Sequence, residues 1–371
     1  MLVYIYLLIY IFAVMAISRV LFKTPDKQKI FCLIFSMIAV YLVLALKAPS
    51  VGRDIEGYKR MYESFKDATW GHYDLYWTET GYEFLEMVFT HILNFDFQMF
   101  AACVYAVSLI CYSVFLYKHA SDVTLSVFVY ICFGFFTFDI SGIRNMLSIS
   151  IVLFAVMFAE KKSFWWNALY FAFVVLAAQI HRSAYFAILM FFFIRFSFQK
   201  SKKLLLPLFA VIALVFRPFA NNILAFLNTS KQVEEISIGG NIIAYIFALV
   251  FPFVIWSVAK HENTATKKYT GEGTKYLEST EFFDAMKMPM QVFYFGIITT
   301  VLAGAGNLVR LAQTPLFFMT LVIPAPLEKL EPKSRFITKA IIYGLLVLYF
   351  YIFKLSVNEL DMCPYIFYWN Y

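Results

Sequence analysis

Long apolar runs separated by short polar breaks make up most of this chain. They fall at residues 1–20, 30–46, 97–117, 123–138, 143–159, 164–178, 184–196, 204–219, 242–259, 290–303, 308–324 and 336–353. At 1.5 Å of rise per helical residue, runs of this length and purity predict about twelve transmembrane helices. Residues 84–93 are apolar but too short to span comfortably, which predicts an interfacial helix. The first run has no basic residue ahead of it, and Arg19, Lys23, Lys27 and Lys29 follow it, so it reads as a retained span and unlike a cleaved signal peptide. The pattern therefore predicts an all-α, polytopic membrane protein with one membrane domain over 1–371. An external loop with its interfacial helix occupies 47–96, and a cytoplasmic loop occupies 260–288. There is no internal repeat, heptad array or low-complexity run.

Composition agrees: 62% of residues are hydrophobic, 15% are charged and the mean hydropathy is +0.72, outside the range of water-soluble domains. The net charge of +7 would suit a nucleic-acid partner in a soluble protein, but here the basic residues report orientation. Placing Lys23, Lys27 and Lys29 in the cytoplasm and alternating from there also puts Lys118, Lys161, Lys162, Lys200, Lys202, Lys203, Lys260, Lys267, Lys268 and Lys275 inside. With Arg19, Arg195, Lys287, Lys329, Lys333, Arg335 and Lys339 on the same side, 20 of the 31 basic residues fall inside, which opposes the inverted topology. An aromatic share of 20% fits a lipid-facing surface with interfacial rings. The five cysteines form no disulfide framework. The triplet Asn228-Thr229-Ser230 is a sequon expected by chance. Gly271-Glu272-Gly273 lacks both the preceding strand and the following Gly-Lys-Ser/Thr of a phosphate-binding loop.

Three polar knots interrupt the apolar runs: Asp139-Ile140-Ser141-Gly142-Ile143-Arg144-Asn145, Gln179-Ile180-His181-Arg182-Ser183 and Gly306-Asn307-Leu308-Val309-Arg310. The lysine-based topology sets all three on the external side, with Arg53, Asp54 and Glu79 of the first loop. Charged groups at that depth are costly unless paired or facing water, so each is a candidate functional group. Arg144 and Arg310 suit a phosphate, because guanidinium presents a fixed fork of donors; the plain alternative for Arg144 is snorkelling, or pairing with Asp139. His181 is either a core histidine bonded to a carbonyl or a base. Asp54 and Glu79 are ordinary solvated carboxylates unless Gly52, Gly57, Tyr58, Gly81 and Tyr82 shape the surface around them. The histidines show no metal-ligand spacing, and there is no Cys-x-x-Cys or Gly-x-Ser-x-Gly, so the expected chemistry needs no metal or other cofactor.

The segments Val51-Gly52-Arg53-Asp54-Ile55-Glu56-Gly57-Tyr58, Glu79-Thr80-Gly81-Tyr82-Glu83, residues 141–150 and Ala178-Gln179-Ile180-His181-Arg182-Ser183-Ala184 resemble the ordered motifs of EpsG-like, Wzy-type polysaccharide polymerases. The resemblance is fullest over residues 30–200 and continues through Arg310 and Pro364-Tyr365. Two departures stand out: Asn145-Met146-Leu147-Ser148 replaces a Gln-Gly-Leu-Ala-like run, and Arg182 replaces a small residue after the histidine.

The resemblance implies a GT-C-like helical fold in the bacterial inner membrane. The implied activity polymerises O-antigen, capsule or exopolysaccharide, moving a growing glycan from undecaprenyl diphosphate to a lipid-linked repeat unit. The implied partners are those lipid-linked glycans, membrane lipids and a chain-length regulator, with no nucleic acid. In that reading Asp54, His181 and Arg144 are catalytic, with Asp54 and His181 ahead of Glu79 as the base. Arg144, Arg310, Arg53, Arg182, Glu79, Tyr58, Tyr82 and Asn145 bind substrate or diphosphate. Trp70, Tyr76, Trp77 and Tyr82 offer flat faces to sugar rings, and Asp139 is a local counter-charge. The rival readings are a lipid-linked oligosaccharide flippase and a membrane acyltransferase acting on surface glycans.

Overall fold

Several helices begin where a polar side chain or a proline can serve the first turn. Asp96 accepts a hydrogen bond from the backbone N–H of Met99 at 2.7 Å, Asp122 accepts one from Leu125 at 3.0 Å, and Pro25 opens its helix at a position whose N–H would be unpaired anyway. The computed structural model describes residues 1–66, 79–195, 238–270, 287–303 and 309–371. The described residues form helices and no strands, apart from one isolated bridge between Lys47 and Phe367.

Two units divide the chain: residues 1–185 with 346–371, and residues 186–345. The first holds α1 (Leu2–Leu21), α2 (Pro25–Ala45), α3 (Ile55–Ser64), α4 (Thr80–Met87, continued by a π turn Val88–Ile92), α5 (Phe97–His119), α6 (Val123–Cys132), α7 (Phe135–Ser141), α8 (Ile143–Ala159) and α9 (Phe164–Ile180). Helix α6 is buried all round and α8 nearly so, whereas α1 leaves Leu2, Ile5, Tyr6, Ile9, Tyr10, Ile17 and Val20 outward. A helix apolar on every side, ringed by helices with outward apolar faces, is what a lipid solvent selects. Helix α8 packs against α5 and α9, and α2 packs against α1 and α5.

The second unit contains α10 (Ala187–Arg195), α11 (Ile238–Thr270), α12 (Lys287–Ala303), α13 (Val309–Leu316) and α14 (Met319–Val322). Phe295 of α12 stacks on Phe193 and Phe186 at 4.4 and 4.9 Å. A methyl group on Gly296 would lie 2.9 Å from the backbone nitrogen of Leu316, so the glycine lets α12 approach the end of α13. Helix α15 (Pro332–Phe350) carries the chain back into the first unit.

Among the described residues, five helical segments are long and apolar enough to cross a membrane: Leu2–Leu21, Pro25–Ala45, Phe97–His119, Arg310–Lys329 and Pro332–Leu355. The pair α6 and α7 makes a sixth if it is one broken span. Its 58° bend replaces the straight helix expected over 123–138. Gly134 supplies the break, with φ +101, and a methyl group there would lie 2.7 Å from Nζ of Lys354. Lys354 is itself paired with Glu359 at 2.8 Å.

Other boundaries move as well. The interfacial helix expected over 84–93 starts at Thr80, residues 182–186 form a 3₁₀ turn ahead of α10, and α11 runs past Lys260 to Thr270. Residues 204–219, the sequon at Asn228, the rest of the 260–288 loop from 271 to 286, Gly306-Asn307 and the aromatics Trp70, Tyr76 and Trp77 lie outside the described residues.

Contacts within the first unit sort its polar residues into two ends. At one end, the Lys29 amine donates to the carbonyl of Ala120 at 2.8 Å and Lys118 pairs with Glu160 at 2.6 Å. At the other, Tyr4 donates to the carbonyl of Met362 at 2.7 Å, Gln98 bonds the carbonyls of Ala45 and Lys47, the start of α3 meets the end of α7, and the start of α4 meets both the start of α8 and the end of α9.

Candidate active site

Arg144 is the second residue of α8, close to the positive end of that helix's dipole, and only 8% of its side chain is exposed. A buried cation in that position needs an anion. Glu79, the residue that opens α4, supplies it: one carboxylate oxygen accepts from the Arg144 guanidinium at 2.8 Å. The other oxygen faces Nδ1 of His181 at 2.8 Å and accepts the backbone N–H of Arg182 at 3.0 Å. His181 is where α9 gives out into extended backbone, so the chain turns its imidazole and the next N–H toward one carboxylate. Ser148 of α8 fixes this junction by donating to the carbonyls of Ala177 and His181 at 3.1 and 3.4 Å.

Glycines let the loop segments reach these breaks. A methyl group on Gly81 would sit 2.5 Å from Cβ of Gln179, which shows how closely the first turn of α4 lies against the end of α9. Thr80 adds a bond to the Gln179 side chain at 3.2 Å. Gly52, at φ +101, lies against Ile140, where a methyl group would come within 2.5 Å of the carbonyl oxygen. The adjoining Asp54 N–H donates to the Ser141 hydroxyl at 3.1 Å. Both loop motifs are thus seated on the α7–α8 and α9 breaks, in positions only glycine allows.

Burial raises the proton affinity of the Glu79 carboxyl, but the His181 hydrogen bond and charge, Arg144 and the Arg182 N–H outweigh it and hold the group down to about 2. The Arg144 guanidinium also lies over the rings of Tyr58 and Tyr82, with 5.1 and 5.5 Å to the centroids. Glu86, one turn beyond Tyr82 on α4, is completely buried and neither carboxyl oxygen has a hydrogen-bond partner among the described residues. Burial holds it well above the usual carboxylate range, with Arg144 acting in the opposite sense.

Of the predicted site residues, Glu79, Arg144, His181, Tyr58 and Tyr82 converge, and Arg182 joins them through its backbone while its side chain is exposed. Asn145 is buried beside Arg144. Asp54 is half-buried at the start of α3, and Arg53 pairs with Asp361 at 3.0 Å on the surface. Arg310 is half-buried on α13 and belongs to the second unit. The expected role of Asp139 as counter-charge to Arg144 is corrected. Its carboxyl accepts from Tyr130 at 2.8 Å and is also bonded by Tyr112, while Glu79 pairs with the arginine. Sequence reading passed over Glu86; its only signal was the Glu79, Glu83, Glu86 spacing, three and four residues apart on a short apolar helix.

A carboxylate can only accept, so Nδ1 of His181 donates to Glu79, and in the neutral imidazole that tautomer leaves the lone pair on Nε2. The imidazole is 14% exposed, and Nε2 has no hydrogen bond among the described residues. A carboxylate-oriented histidine beside an arginine in a low-dielectric recess can remove a proton from a hydroxyl and stabilise developing negative charge. Fold and site together define an integral membrane protein of helical class with a carboxylate–histidine–arginine centre at one end of its first unit.

The sequence profile of the EpsG family matches residues 29–371, and the chain belongs to that family. The family is related to Wzy-like polysaccharide polymerases, which points to a membrane glycan polymerase-like function. No curated protein and no solved structure matches the chain.

Proposed function

We propose that the protein polymerises lipid-linked oligosaccharide repeat units on the external face of a bacterial inner membrane. The acceptor is the terminal sugar hydroxyl of one repeat unit, and the donor is a growing glycan on undecaprenyl diphosphate. His181 Nε2 takes the hydroxyl proton as the acceptor oxygen bonds to the anomeric carbon. The anomeric carbon–oxygen bond to the carrier breaks, and the diphosphate leaves with the electron pair. Glu79 orients the imidazole and stabilises the imidazolium, in the manner of a catalytic triad's carboxylate. Arg144 offsets the charge gathering on the diphosphate, and Tyr58 and Tyr82 hold the guanidinium in place. Arg310, Arg53, Arg182 and Asn145 are assigned to the phosphate and sugar portions of the substrates, and Asp54 to the acceptor side.

The observation that carries this reading is the single carboxylate shared by Arg144 and His181. It joins a proton acceptor to a charge stabiliser, the two functions that glycosyl transfer from a diphosphate requires. Arg144→Ala and Arg144→Lys are both expected to abolish polymer and leave single lipid-linked repeats, because an ammonium does not reproduce the guanidinium's planar fork. The check is gel banding of surface polysaccharide with mass analysis of the lipid-linked pool. Wild-type banding from either variant would overturn the assignment.

A further inference from the structure

The final residues of the chain are tied to the loop that carries Asp54. The N–H groups of Gly52 and Arg53 donate to the carbonyls of Asp361 and Leu360 at 3.1 and 3.0 Å, and Arg53 pairs with the Asp361 side chain. Ala48 donates to the Ile366 carbonyl at 2.8 Å, Tyr368 donates to that of Leu46 at 2.9 Å, and Tyr365 donates its hydroxyl to Val43 at 3.0 Å. Beyond these ties the chain ends in an open group of rings. Trp369 is 56% exposed and stacks one face on Phe367 at 4.6 Å; Tyr371 is 61% exposed.

The surroundings of Tyr371 are polar. Tyr371 donates its hydroxyl to Glu56 at 3.0 Å, and the Lys59 amine lies 5.2 Å from the centre of its ring. Arg60 and Glu63, also exposed, continue that face of α3. A ring sunk in the hydrocarbon layer would sit among outward apolar residues, as those of α1 do, and one at the headgroup level is separated from a sugar-binding ring by the lipid-quenching measurement below. A flat apolar face bordered by a carboxylate and an ammonium matches a sugar ring, whose C–H face is apolar and whose hydroxyls need donors and acceptors at the edge.

We propose that Trp369 and Tyr371, the latter bordered by Glu56 and Lys59, form a platform that binds the sugar rings of the acceptor glycan and presents it to the Asp54 loop. The proposal rests on the polymerase reading for the identity of its ligand, and it is tested without turnover. The purified full-length protein in detergent is mixed with the soluble repeat-unit oligosaccharide, freed by mild acid from the lipid-linked pool of the same cells. Saturation-transfer NMR then reads contact between aromatic side chains and sugar ring protons. Wild-type protein is expected to transfer saturation, Trp369→Ala to bind roughly tenfold more weakly, and Trp369→Phe to recover most of the difference. Because Trp369 is exposed, both variants should elute from size exclusion as wild type does.

No transfer to the wild type, or transfer unchanged in Trp369→Ala, overturns the platform. So does quenching of Trp369 fluorescence by brominated acyl chains in reconstituted vesicles, scored as the difference between wild type and Trp369→Ala. Binding and polymer formation are scored separately, so loss of polymer in the Arg144 variants counts for or against the polymerase reading alone.

Discussion

Glu79→Gln tests the centre most directly, because it keeps the shape of the side chain and removes its charge. In the native protein the carboxyl is 9% exposed and bonded to Arg144, His181 and a backbone N–H. Lowering its pKa from the ordinary 4.5 to about 2 corresponds to roughly 3 kcal/mol in favour of the charged form. That agrees with the roughly 3–5 kcal/mol lost when one partner of a buried pair is removed. For a depressed carboxyl this stabilisation is present above about pH 4.5 and is lost only as pH falls toward 2, so it is complete at any working pH. The glutamine variant is therefore expected to unfold several degrees lower in detergent. Turnover should fall further, by roughly 10³–10⁴, since an amide can no longer hold Nδ1 protonated or balance the imidazolium. Glu79→Asp retains the charge but is one methylene too short to reach both partners, and a loss of roughly 10² is expected. The assay is polymer formation from purified lipid-linked repeats, with the unfolding midpoint measured on the same preparations. Turnover of Glu79→Gln within about threefold of wild type would refute the dyad, whatever its stability.

Two further perturbations address the support of the site. Gly81→Ala places a methyl group 2.5 Å from Cβ of Gln179 and should push α4 away from α9, separating Glu79 from His181 and lowering polymer formation by roughly 10²; Gly57→Ala, with nothing within 4 Å of the added carbon, should behave as wild type. Equal activity in the two alanine variants would mean that the α4–α9 contact does not position the carboxylate. Lys47, buried with its amine donating to the Val51 carbonyl at 2.8 Å, is pushed down by burial to about 7. The unfolded chain keeps that proton up to about 10.5, so native stability should rise with pH between about 7 and 10.5, by up to about 1.4 kcal/mol per pH unit, and Lys47→Met should flatten the slope. Unfolding midpoints at several pH values across that window check it, and equal slopes in the two proteins would count against it.

The helices were legible where an unbroken apolar run met a polar break. What could not be read was which polar residue faces which. Glu79 lies 65 residues from Arg144 and 102 from His181, so no local pattern couples them. Asp139, only five residues from Arg144, looked like its natural partner. The two stand on either side of the Gly142 break, and Asp139 is taken up by the buried hydroxyls of Tyr130 and Tyr112. The bend between α6 and α7 had one trace in the sequence, Gly134 within an apolar run, and a lone glycine there is tolerated too often to decide a break.

The glycines were the better guide to the site than the charges. A charged residue in a loop can always be explained by water, whereas Gly52 and Gly81 occupy places where any side chain would collide with backbone or Cβ atoms of another segment. Each marks a contact between the first loop and a helix break, and each stands within two residues of a candidate acid, Asp54 or Glu79. A centre assembled this way depends on backbone approach as much as on the acids themselves. Substitution at Gly81 should therefore mimic Glu79→Asp in activity while leaving the full glutamate present. That combination separates a positioning defect from a missing functional group, because the mild Glu79→Asp defect and the Gly81→Ala defect should not multiply when combined if both act by displacing the same oxygen from His181.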